Sequence, residues 1–327
     1  MRTALKYVGR GFLALIAALV IALTLNASYW SSYRAPTTLV AHRGLAQTYH
    51  REDLDNETCT ATRIYPPQHP YLENTIASMQ AAFDAGADIV EFDVHPTTDG
   101  AFAVFHDWTV DCRTQGKGVT RTHTLAELKA LDIGYGYTAD GGKTFPFRGR
   151  GVGLMPSLDE VLATFPDKSF LINIKSNDPR EGDLLADRLL QLPPEQLARL
   201  MSYGGDRPIA ALRKRIPAML TTSRKSLIAC GGSYLALGWS GYVPESCRNT
   251  IVLAPMDIGF ILWGWPNRFF ERMNGVGSQV FVTGPYGHGT AGIDSDEDIA
   301  QLPSDFSGGI WTNRIDRIGP KFKTNQP

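Results

Sequence analysis

From residue 38 onward the chain alternates short apolar runs with amphipathic helical stretches, and this alternation constrains its fold more than any other feature. The runs fall at 38–42, 89–94, 102–106, 170–174, 199–203, 218–222, 250–254, 279–283 and 309–312. Helical patterns lie between most of them, for example over 75–85, 125–131, 157–164 and 182–192. Such alternation marks a parallel α/β architecture. Nine runs are one more than a closed (β/α)8 barrel needs. Between Val94 and Phe102 stand only seven residues, HPTTDGA, too few for a parallel crossover. Asp99-Gly100 is instead a two-residue hairpin signal, so the third run is expected to fold back antiparallel on the second. Eight strands remain, which gives a TIM barrel. A two-residue turn also sets Asp93 directly opposite His106, with both side chains on one face.

Composition sharpens this. Of 327 residues 43% are hydrophobic and 20% charged, with a net charge of −1. A chain like this affords a large core and is not disordered, and it lacks the basic surface that nucleic-acid binding requires. No linker or repeat interrupts residues 35–327, which read as one barrel domain. Residues 1–34 read as a separate leader: Arg2, Lys6 and Arg10 precede an uncharged run over 11–30, just long enough to span hydrocarbon. Ala27 makes a poor cleavage site because Leu25 stands two residues before it, and Tyr29, Trp30 and Tyr33 sit where an interfacial belt would lie. The reading is a signal anchor, with a cleaved signal peptide and a secreted product as the alternative. Basic residues on the N-terminal side then put the barrel outside the cytoplasm, in the periplasm of a bacterium. Four cysteines without a CxxC suit an oxidising compartment; proximity favours Cys230–Cys247 and leaves Cys59–Cys112.

Chemistry concentrates at strand ends. Glu91 and Asp93 stand at i and i+2 at the C-terminal end of the second strand and share a face. Two converging carboxylates beside a histidine call for a cation, and hard oxygen donors suggest Mg²⁺ or Ca²⁺. His95 has the same parity and is expected to be an ordinary surface histidine. The first strand runs into Val40-Ala-His-Arg-Gly44, offering a general base in His42, a guanidinium for phosphate in Arg43, and a glycine for a tight turn. Glu73-Asn74-Thr75 opens a helix, His106-Asp107 ends the hairpin, and Lys175 follows another strand.

In order and spacing these segments resemble the glycerophosphodiester phosphodiesterases, a family of phospholipase-C-like barrels. The resemblance covers 38–175: VAHRG, LENTIASMQAAFDAGADIVEFDVHPTTDGAFAVFHD, RTQGKG, TLAELKALD, MPSLDEVL and FLINIK; SGGIWTNRID looks like the closing strand. It implies metal-dependent hydrolysis of glycerophosphodiesters to glycerol 3-phosphate and an alcohol, or of lysophospholipids. His42 and His106 would be the acid/base pair, and Arg43 and Lys175 would bind phosphate. Glu91, Asp93 and position 173 would hold the metal, and the glycerol 2-hydroxyl would attack to give a cyclic phosphate. Asn173 departs from the pattern, INIK standing in place of IEIK, so the metal should be held by one carboxylate fewer. Glu73 is expected to partner Arg43. A long loop between Gly44 and Glu73 carries Cys59 and lies at the mouth, either narrowing the entrance or decorating it.

Two other readings stay open: a membrane-tethered binding protein that kept the pocket without turnover, or an unrelated barrel hydrolase such as a glycosidase using Glu91. The aromatic segments 230–247 and 257–275 are read either as packing elements or as a lipid-facing patch.

Overall fold

The computed structural model describes residues 2–54, 58–287 and 291–323. Nine strands form: β1 (Thr38–His42), β2 (Ile89–Pro96), β3 (Phe102–Val104), β4 (Ser169–Ile174), β5 (Leu200–Gly204), β6 (Thr221–Ser223), β7 (Ile251–Pro255), β8 (Gln279–Thr283) and β9 (Gly309–Thr312). Eight run parallel in the order β6-β5-β4-β2-β1-β9-β8-β7, and a single Thr221–Thr250 bridge joins the two ends into a barrel. β3 lies outside this path and pairs antiparallel with β2. The expected TIM barrel is therefore the fold, down to its one hairpin.

Strand parity explains what lies inside. Val40, Ile89, Leu171, Met201, Ile251, Phe281 and Trp311, one from each of seven strands, pack together as the barrel interior. Their neighbours on either side, such as Leu39, Ala41, Val90, Phe92 and Ile172, point outward into the core shared with the surrounding helices. Two residues beyond the interior layer, the same parity brings His42, Glu91, Asn173, Tyr203 and Asn313 to the C-terminal mouth. In lateral register His42 adjoins Glu91, Asp93 adjoins Asn173, and Asn173 adjoins Tyr203.

The hairpin register differs from expectation. Val94 pairs with Val104, His95 with Ala103 and Pro96 with Phe102. Thr97 N–H donates to the Ala101 carbonyl at 2.9 Å, so the loop is three residues long, 98–100, and Gly100 closes it at φ 82°. The Thr97 hydroxyl donates to Asp99 at 2.6 Å and accepts from Ala101 N–H at 3.0 Å, which favours the longer loop. Phe105, not His106, therefore stands opposite Asp93, its N–H donating to the Asp93 carbonyl at 3.0 Å.

Ahead of the barrel runs one helix, Arg2–Leu25. Its Tyr7–Leu25 stretch has a mean hydropathy of 2.2 and is long and apolar enough to cross a membrane, with none of that window buried against the protein. The chain just after it is tied to the barrel. Asn26 donates to the Trp239 carbonyl at 2.7 Å, Ser28 Oγ accepts from Asn267 N–H at 3.0 Å, and Ser31 Oγ donates to Glu271 at 2.8 Å. Both expected disulfides form, Cys59–Cys112 and Cys230–Cys247.

Candidate active site

β1 ends in an unusual turn. Arg43 (φ 61°) and Gly44 (φ 76°) both adopt left-handed backbone, and a side chain at Gly44 would lie within 2.9 Å of the Ser78 backbone. Asn74, also left-handed at φ 59°, donates its N–H to the Arg43 carbonyl at 3.0 Å. Non-glycine residues in this conformation cost energy and cluster at functional sites. Here they turn the Arg43 N–H onto Glu91 Oε2, 3.0 Å away.

Both carboxylates of the E-x-D pair are fully buried. Glu91 Oε1 accepts from the Tyr203 hydroxyl at 2.7 Å, and its other oxygen takes the Arg43 N–H. Asp93 Oδ2 accepts from Asn74 Nδ2 at 3.0 Å and lies 3.5 Å from Arg43 Nε; Oδ1 accepts from Asn173 Nδ2 at 2.8 Å and lies 3.4 Å from Lys175 Nζ. Burial and the charge of Asp93 push Glu91 up to about 8. At Asp93 burial also works upward but is overcome by Lys175, His106 and Arg43 and by the Asn74 hydrogen bond, leaving it well below the usual carboxylate range.

Each histidine is fixed in one tautomer by the acceptor at its Nδ1. His42 Nδ1–H donates to Asn313 Oδ1 at 2.7 Å, since an amide oxygen only accepts. Asn313 is itself held by Asp294, which accepts its side-chain N–H at 2.9 Å and its backbone N–H at 2.6 Å. His42 Nε2 is thereby left as a lone pair, 3.2 Å from Arg43 Nε–H and 3.8 Å from Glu91 Oε2. Burial, then Arg43, lowers His42 well below an ordinary histidine. His106 donates from Nδ1 to Asp107 at 2.7 Å, and Arg113 grips Asp107 at 2.9 Å. Burial and Arg43 lower His106 too, against the pull of Asp93. Asp93 favours the charged form of the His106 ring, and the charged ring in turn lowers Asp93.

Glu73 partners Arg43 as expected, Oε1 to Nη1 at 3.0 Å, and its other oxygen meets Arg113 Nη1 at 3.1 Å. Gln47, Tyr49 and Arg51, from the loop after Gly44, line a cleft of about 20 Å³ together with His42, Arg43 and Asn313. Its residues 55–57 lie outside the described residues. His95 is not a surface histidine. It is 1% exposed, packed edge-on to Trp108, with Nε2 3.4 Å from the His106 carbonyl, and burial pushes it down to about 4.

The two buried carboxylates are hard oxygen donors of the kind that Mg²⁺ or Ca²⁺ takes. Against this, Asn173 presents its nitrogen to Asp93, so its oxygen becomes a ligand only if the amide turns. Among the described residues no group of three or more His, Cys, Asp or Glu side chains gathers as a metal site.

Six participants carried no assigned role from the sequence: Asn74, Asp107, Arg113, Tyr203, Asp294 and Asn313. Tyr203 and Asn313 were legible by parity, each two residues beyond an interior side chain of its strand (Met201, Trp311). Asp294 reaches Asn313 from a loop and left no sequence signal.

The model of the glycerophosphoryl diester phosphodiesterase family matches residues 42–197. A glycerophosphodiester phosphodiesterase of Caldanaerobacter subterraneus subsp. tengcongensis is 44% identical over 103 residues, 32% of this chain and 39% of that protein. One from Bacillus subtilis is 36% identical over 122 residues, 36% of this chain and 39% of its own length. The chain thus spans about two-fifths of the length of these curated relatives. In fold it resembles the glycerophosphoryl diester phosphodiesterase domain of a Mycobacterium tuberculosis protein, with a TM-score of 0.61 at 16% identity over 89% of this chain and all of that one. It also resembles an Oleispira antarctica phosphodiesterase solved with the product sn-glycerol-3-phosphate, with a TM-score of 0.55 at 17% identity over 91% of this chain and 100% of that one. With its motifs on the strand ends of such a barrel, residues 42–197, just under half of the chain, match the pattern of the glycerophosphoryl diester phosphodiesterase family.

Proposed function

We propose that the protein hydrolyses a phosphodiester bond in glycerophosphodiesters or in their one-chain lipid forms, the lysophospholipids, releasing an alcohol. The observation that carries this reading is the pair of tautomerically fixed histidines at one buried carboxylate pair, with Arg43 and Lys175 as cations for phosphate. Arg43 Nε–H donates to the His42 Nε2 lone pair. A phosphate that draws the guanidinium onto itself frees Nε2 to take the proton of the attacking hydroxyl, the glycerol 2-hydroxyl in the family's manner. His106, on Asp107, then protonates the leaving alcohol. Burial and Arg43 favour its neutral form, and an arriving anion favours the charged one.

Glu91 and Asp93, with Asn173 turned, would hold Mg²⁺ or Ca²⁺, which when bound supplies charge neutralisation on a non-bridging phosphate oxygen. Residues 1–34 are taken as an uncleaved membrane anchor and 35–327 as an extracytoplasmic domain; the exposed apolar helix and the two disulfides support this. Glycerophosphocholine assayed with the full chain, with and without EDTA and added Mg²⁺ or Ca²⁺, tests the reading. Release of choline that stops on chelation is expected; no release under any metal condition overturns it.

A further inference from the structure

A chamber of about 430 Å³ lies between the helix Arg224–Leu237 and the C-terminal ends of β7 and β8. Its walls include Leu227, Val252, Ala254, Ile258 and Leu262. Its inner wall is the catalytic site's own: Tyr203, whose hydroxyl binds Glu91, and Trp311, whose ring centroid is 5.0 Å from that of His42. Tyr203 and Trp311 meet edge to face at 6.0 Å. The apolar chamber and the carboxylate pair thus lie on either side of the same two side chains, Tyr203 and Trp311. The volume is towards the small end of ligand pockets, which run from about 300 to 1,000 Å³, and suits one apolar chain better than two.

A second observation comes from outside. Leu262 also lines a surface depression together with Leu23 and Ala27, at the end of the N-terminal helix. Phe260 stands 78% exposed in that depression, and Tyr286, on the chamber wall, is 71% exposed. The membrane-length helix therefore ends one side chain away from the chamber, beside an apolar rim. A rim in that place lies at the level where a bilayer meets water.

We infer that the chamber holds the acyl chain of a lysophospholipid taken from the membrane in which the helix sits, while the phosphodiester lies at His42, Arg43 and the carboxylates. The inference rests on the phosphodiesterase reading and narrows it to one substrate class. Water adds across the P–O bond to the head-group alcohol: its hydroxyl ends on phosphorus, its proton on the alcohol, and acylglycerol phosphate remains. No oxidant or reductant is involved.

Gly231 lines the chamber from the helix, and a Cβ there meets nothing within 4 Å; the same holds for the neighbouring Gly232, which is exposed and outside the chamber wall. Phenylalanine is also a better helix former than glycine, so both sites tolerate it. The test compares Gly231→Phe with Gly232→Phe in the full chain, using acyl-lysophosphatidylcholine in phosphatidylcholine vesicles and glycerophosphocholine in solution. The ratio of the two kcat/KM values should fall at least tenfold in Gly231→Phe and stay unchanged in Gly232→Phe. If Gly231→Phe fails to fold, Leu227→Trp fills the same space and should give the same fall. An unmoved ratio, an equal fall in both variants, or a wild type that cleaves glycerophosphocholine but not the lysolipid overturns the inference alone. A wild type inactive on both substrates overturns the phosphodiesterase reading, and the inference with it.

Discussion

Asn173 and Asp93 are joined by a hydrogen bond of 2.8 Å in which the amide nitrogen donates, so the oxygen of Asn173 faces away from the Asp93 carboxylate. A divalent ion that uses this oxygen must break that bond as it binds, on top of lacking a third carboxylate. Restoring the charge with Asn173→Glu should tighten divalent metal binding about tenfold to a hundredfold, equivalent to roughly 1–3 kcal/mol of screened Coulomb attraction. Titration calorimetry measures this directly. Unchanged affinity, with Asp93→Ala abolishing binding, would show that position 173 is not a ligand.

His42 and Asn313 should separate by degree. His42→Ala removes the proposed base and should lower kcat by about a hundredfold to ten-thousandfold. Asn313→Ala leaves the base but frees its ring, so kcat should fall less, while the pH below which kcat/KM declines should move. A purely structural role for Asn313 would leave that pH profile in place.

Glu73 holds two guanidiniums, Arg43 and Arg113, and Arg113 in turn holds the Asp107 that orients His106. Glu73→Gln keeps the shape but strips one buried charge from between two cations. Loss of one partner from a buried pair typically costs about 3–5 kcal/mol, so chemical denaturation should show a clear drop in stability. KM for the phosphodiester should rise as well, since Arg43 loses its brace.

In the metal-free protein, the contribution of Glu91 to stability should fall as pH rises from about 4.5 to about 8. Glu91 is raised to about 8, so the folded chain holds a proton there that the unfolded chain has already lost. Stability from that proton is present at low pH and is lost as pH rises through the folded value. The histidines lowered in the fold act the other way while the unfolded chain gives up their protons around 6.5, so the Glu91 effect is read as a difference between two proteins. Thermal melts in EDTA should show the advantage of wild type over Glu91→Gln shrinking as pH rises to about 8.

Much of this was legible in the sequence because a strand has period two. Once Glu91 and Asp93 were placed at a strand end, their shared face followed, and so did that of His42. The hairpin register was not legible, since Asp99-Gly100 fits both a two-residue and a three-residue loop, and a Thr97 hydroxyl bond decides between them. His95 was misread because its burial comes from Trp108, a residue 13 positions on that folds back over it. The aromatic segment 257–275 divides along its length: Phe269 and Phe270 are core, at 1% and 3% exposure, while Phe260 is open to solvent. Sequence shows a residue's appetite for burial; only the chain path shows which residues satisfy it.

The barrel is closed between β6 and β7 by one bridge, Thr221–Thr250, braced by the Thr250 hydroxyl donating to the Thr221 carbonyl at 2.7 Å. Every other neighbouring pair of strands shares two or more registered partners. A cylinder with one weak seam concentrates its compliance there, and amide protons along that seam should exchange with solvent well ahead of those on β1, β2 and β4. Above the seam stands the helix Arg224–Leu237, fastened to the approach of β7 by Cys230–Cys247. The disulfide acts as a hinge pin across the softest line of the cylinder: strands on either side can part slightly without the helix swinging free.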